Sequence, residues 1–114
     1  MKTLWLGIAA AILVAMPAAA DTVDSTYGNT LVATNAKGET AHWFIDADNT
    51  FKIVGADGKE VAGTWKIAGD KFCITPAGSP ENCFTYVTGK NVGDSWDVRD
   101  GAGEAVKVSI VSGR

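Results

Sequence analysis

The chain has 114 residues, 46% of them hydrophobic, and a formal charge of −3, which accommodates one domain with a core of its own. Thirteen Asp and Glu are scattered among ten Lys and Arg. A mixed, mildly acidic surface of this kind disfavours nucleic acid and anionic membranes as partners.

Lys2 supplies a positive start, Leu4 to Met16 is an almost unbroken apolar run, and Ala18-Ala19-Ala20 offers small residues for a signal peptidase. Residues 1–20 therefore read as a cleaved signal peptide, with the working protein beginning at Asp21. The apolar run, about a dozen residues, is too short for a transmembrane helix, and nothing later replaces it as a membrane anchor. The protein is expected in the periplasm or secreted. Without Lys2, nine basic residues face thirteen acidic ones, a charge of −4. Residues 21–26 are expected to be a flexible N-terminal segment and residues 27–114 a single folded domain.

From Tyr27 onward, short β-branched and aromatic segments alternate with polar residues and end in Gly, Asn or Asp clusters. The expected strands are Tyr27 to Thr34, Thr40 to Asp46, Thr50 to Val54, Val61 to Ala68, Lys71 to Thr75, Cys83 to Thr88, Ser95 to Arg99 and Ala105 to Val111. Connections of about two to seven residues are too short for parallel crossovers, so sequential strands that pair do so antiparallel. The fold class is all-β: a small up-and-down meander of about eight strands, closed into a barrel to remove exposed edges. A barrel of this size holds only side chains or one small ligand, and the aromatic content favours a mostly filled interior. Alternation puts Val61, Gly63, Trp65 and Ile67 on one inner face, with Trp96 and Val98, and Val106, Val108 and Ile110, on others. Gly38, Gly58 and Gly103 each stand before a charged residue and a returning strand, the place where a hairpin loop needs positive φ.

Cys73 and Cys83 are the only cysteines. In an oxidising compartment they are expected to form a disulfide, worth about 3 kcal/mol for a loop of about eleven residues. A redox dithiol is set closer together, and a zinc site needs two further ligands, of which His42 is the one candidate that is not a carboxylate. Asp46-Ala47-Asp48-Asn49-Thr50 resembles the opening of a calcium loop, yet Phe51 stands where that loop needs Gly; a hairpin turn is the reading taken. His42 and Ser95 lack the sequence context of a nucleophile and its base. No catalytic residue, metal or cofactor is called for. Trp43 and His42 are the candidate recognition residues: they alternate along one strand, so one faces solvent, and an aromatic at a barrel mouth can hold a ligand.

Gly63-Thr64-Trp65, Gly69-Asp70-Lys71-Phe72-Cys73, Cys83, Val92-Gly93-Asp94-Ser95-Trp96 and Gly113-Arg114 resemble a group of short exported bacterial proteins of uncharacterised function. That resemblance implies a periplasmic β protein and carries over no catalytic residue. The architecture is also similar to the lipocalin-like small barrels that include periplasmic inhibitors of metalloproteases. The expected role is non-catalytic binding or an envelope-associated function, the partner being a protein or a small apolar ligand. Two alternatives stand beside it: a protease inhibitor working through residues 21–26, and a small hydrolase.

Overall fold

The computed structural model describes residues 21–114; the signal-peptide reading of residues 1–20 lies outside them. A short helix, α1 (Thr22–Thr26), precedes eight strands: β1 (Thr30–Thr34), β2 (Thr40–Ile45), β3 (Thr50–Val54), β4 (Glu60–Ala68), β5 (Lys71–Pro76), β6 (Asn82–Thr85), β7 (Ser95–Arg99) and β8 (Ala105–Val111). They form one sheet in the order β6-β5-β4-β3-β2-β1-β8-β7. Every pairing is antiparallel, and the sheet curls into a nearly closed barrel. The chain meanders from β1 to β6, and β8 then returns to pair with β1. That leaves a seam, because β6 and β7 each have a bonded neighbour on one side only.

Three hairpins share one turn geometry. Asn35, Gly55 and Asp100 each donate their N–H to the carbonyl four residues on and accept from the N–H three residues on. The third residue in each loop, Gly38, Gly58 and Gly103, has φ of +82°, a left-handed conformation that is costly for most residues with a Cβ and free for glycine. All three turns lie at the same end of the barrel. The turn at Asp46–Thr50 repeats the pattern at the opposite end, with Asn49 at φ +68° taking the glycine's place. Asp48 Oδ1 accepts from the N–H and hydroxyl of Thr50, so the segment with calcium-like spacing is a turn whose carboxylate is spent on its own backbone.

Inward-facing residues from every strand make the core, with Ile45, Phe51, Trp65, Phe72, Ile74, Val98 and Val108 all buried. Trp65 stacks on Phe72 at 5.5 Å between ring centroids, and its indole N–H donates to the Asp46 carbonyl, satisfying the one polar group it brings inside. Val61 departs from the expected core: it is 41% exposed. Residues Glu60 to Ala62 pair with β3 but have no register partner on β5, so this end of β4 overhangs the barrel rim.

Three strands are shorter than the sequence predicts, the second by the single residue Asp46 and the first and sixth by more. The first begins at Thr30 rather than Tyr27, because Tyr27 caps α1 and Gly28 turns the chain at φ +74°. The sixth ends at Thr85, beyond which the Val87 carbonyl accepts from the Thr22 hydroxyl. The largest correction concerns residues 21–26. They are not a free segment: Asp21 caps α1, and Thr22, Val23 and Thr26 are all buried. Val23 N–H donates to the Tyr86 hydroxyl at 3.1 Å and Lys90 N–H to the Thr22 hydroxyl at 3.0 Å. A helix of five residues is unstable alone. Here its apolar Val23 and its hydroxyls plug the end of the barrel opposite the three matching turns.

The disulfide forms as expected, joining Cys73 on β5 to Cys83 on β6, which are register partners. Cys73 also pairs with Lys66, whose side chain points outward, so the bridge lies on the outer surface. Lys66 Nζ meets Glu81 Oε2 at 3.3 Å, and the Glu81 carboxylate lies within 4.8 Å of both sulfurs. This ion pair lies beside the bridge, and Cys73 is only 3% exposed. The bridge thus fastens the four-residue seam strand to its only bonded neighbour.

Candidate functional site

While α1 covers one end of the barrel, a cleft lies at the other, between the turns at residues 35–39 and 55–59. The opening follows from side-chain size. Ala33 on β1 and Ala41 on β2 are register partners on the inner face, and Gly55 follows directly on the end of β3. Where neighbouring strands carry Val, Trp or Phe, these positions leave only methyl groups or a hydrogen, and the sheet cannot close its own lumen there. The result is a cleft of about 390 Å³ with Ala33, Ala41, Trp43, Phe84 and Val106 as its apolar floor and Asn35, Glu39, Thr40 and Asp57 as its polar wall.

Beneath the floor lies a second, smaller void of about 60 Å³, lined almost wholly by apolar side chains. Ala33, Trp43, Phe84 and Val106 line both spaces. Trp43 and Phe84 meet edge to face at 5.4 Å, and Phe51 stacks on Trp43 at 6.5 Å. Two aromatic rings and two small aliphatic groups are therefore the partition between mouth and lumen.

The one ionisable side chain on the inner void is Tyr86, whose hydroxyl faces α1. Burial pushes its phenol well above the ordinary value; hydrogen bonding to Asp21 and the charges of Asp21 and Asp24 add to the rise, and donation from Val23 N–H opposes it. It stays neutral and structural at physiological pH.

The two candidate recognition residues separate across the sheet. Trp43 is inward, 9% exposed, and central to the cleft floor; its neighbour His42 is outward and exposed. His42 and Ser95 fall in a single row of register partners running through Val32 and Ser109. Three strand spacings separate them, about 14 Å, so the imidazole does not reach the hydroxyl. Among the described residues, the one grouping of close metal-ligating side chains is Cys73, Glu81 and Cys83, and its two sulfurs are bonded to each other. No helix among these residues is long and apolar enough to cross a membrane.

Sequence reasoning reached Trp43 but missed the rest of the cleft. Ala33, Ala41, Phe84 and the wall residues gather from three strands and two turns. The available signal was a pair of alanines in phase with Trp43 where neighbouring inner positions are large. Compared with protein families, with curated proteins and with solved structures, the chain matches none.

Proposed function

We propose that the protein is a non-catalytic binder of a small apolar molecule, held at the barrel mouth over Trp43 and Phe84, working in an oxidising compartment outside the cytoplasm. The observation that carries this is the shared lining: the cleft at the mouth and the smaller apolar space beneath it meet at the same four residues, Ala33, Trp43, Phe84 and Val106. Concave, largely apolar spaces of a few hundred Å³ with a few polar groups at one side are the usual form of small-molecule sites. The disulfide supports the compartment, since such bridges persist where thiols are not kept reduced. The inhibitor alternative has less support, because the segment it needs free is packed against Tyr86, Val87 and Lys90.

Titration of the oxidised protein with N-phenyl-1-naphthylamine, a neutral apolar fluorophore, tests the reading. Saturable binding is expected. Ala41→Leu, which fills the half-buried mouth without touching α1 or the bridge, should weaken it by about tenfold or more, the scale of methylene-sized changes in apolar pockets. Absence of saturable binding, or equal binding by a folded Ala41→Leu variant, would overturn it.

A further inference from the structure

The polar wall of the cleft has one sign of charge. Its ionisable members are Glu39, at the end of the 35–39 turn, and Asp57, in the 55–59 turn. Each has one carboxylate oxygen engaged: Glu39 Oε1 accepts from Asn35 Nδ2 at 2.8 Å, and Asp57 Oδ1 accepts from Lys59 N–H at 2.9 Å. These bonds hold the two groups in place on opposite turns. Among the described residues the ion pairs are Lys52 with Glu60, Lys66 with Glu81 and Arg114 with Asp46, and neither Glu39 nor Asp57 belongs to one. Lys37 and Lys59 sit in the same two turns, yet neither lines the cleft nor pairs with these carboxylates.

We infer that the ligand is a cationic amphiphile, an organic amine whose apolar part lies on Trp43 and Phe84 and whose ammonium group sits between Glu39 and Asp57. The inference rests on the mouth-binding reading above and adds to it the ligand's charge. The apolar floor alone accepts any small hydrophobe. The paired carboxylates divide otherwise equal ligands by charge: they attract an ammonium group, are indifferent to a hydroxyl, and repel a carboxylate that would lose water without gaining a partner.

Three ligands of equal chain length, n-octylamine, n-octanol and n-octanoate, separate the possibilities at pH 7 by isothermal titration calorimetry. Because both carboxylates are exposed, each contributes at the surface ion-pair scale. Octylamine should bind about five- to tenfold more tightly than octanol. Octanoate should bind more weakly than octanol. Raising the salt should shrink the amine's advantage and leave octanol unchanged. In Glu39→Gln/Asp57→Asn, amine and alcohol should bind equally, at the alcohol's original affinity. If octanol and octylamine bind the natural protein equally, or the double variant keeps the preference, the charge inference fails and the mouth-binding reading stands. If none of the three binds, and N-phenyl-1-naphthylamine also fails, both are overturned.

Discussion

Trp43 meets Phe84 edge to face at 5.4 Å, joining the inner face of β2 to that of β6 across the barrel lumen. The contact ties a seam strand to the opposite side of the barrel and separates the mouth from the void below. Trp43→Ala merges the two spaces and removes the partner of both Phe84 and Phe51. A loss of about 3–5 kcal/mol is expected, as for other large-to-small core changes. Urea unfolding followed by circular dichroism measures it; a loss below about 1 kcal/mol, the surface range, would show that the ring is not a core residue.

Gly63 has a different constraint. A Cβ there would run into the Thr75 carbonyl oxygen and lie 2.9 Å from Pro76 Cα, so β4 and β5 approach at this point more closely than any side chain allows. Both contacts are backbone, which cannot swing aside. Gly63→Ala should cost about 1–3 kcal/mol or more by forcing the strands apart, although alanine has the better intrinsic strand preference. A melting temperature equal to that of the natural protein would refute the account.

Opening the Cys73–Cys83 bridge should release β6 rather than unfold the barrel evenly. The strand has four residues and one bonded neighbour, so its amides should exchange first. Cys73→Ser/Cys83→Ser is expected to lose about 3 kcal/mol. Hydrogen exchange should locate the change at residues 82–87 and, through Val87 and Tyr86, at α1. Protection lost evenly over all strands would contradict the staple role. In the natural protein, thiols that react with an alkylating agent before reduction would show that the bridge is absent.

Tyr86 sets an alkaline limit. Its folded-state value is raised above the 10.0 of a free phenol, foremost by burial, so the folded state holds the proton more tightly. That stability is fully present below pH 10 and is lost as pH rises through the range between the unfolded and folded values. Tyr27 is raised for the same leading reason and acts in the same sense. Urea midpoints should fall steadily above pH 10, with α1 released as the phenolate forms beside Asp21. Tyr86→Phe should flatten this fall, at the cost of about 1 kcal/mol near neutrality for the acceptor lost to Val23 N–H. An equally steep fall in Tyr86→Phe would assign the alkaline limit elsewhere.

Alternation and turn chemistry determined the strands, their antiparallel meander, the three glycine hairpins and the cysteine pairing, because each depends on residues close in the chain and on a period of two. The position of the seam, the plug at one end and the cleft at the other were decided only in three dimensions. Residues 21–26 are polar enough to read as a loose end, yet Thr22 finds Val87 and Lys90, and Val23 finds Tyr86, across more than sixty positions of sequence. Val61 continues the alternation of a core strand and is exposed because β4 is longer than β5. Ala33 and Ala41 are unremarkable as letters; they open a cleft because the register sets them side by side, next to Trp43 on the same face and with Phe84 of β6 in the same lining. Local pattern encodes which way a side chain points, but what lies opposite it depends on strand length, register and closure, which are properties of the whole sheet.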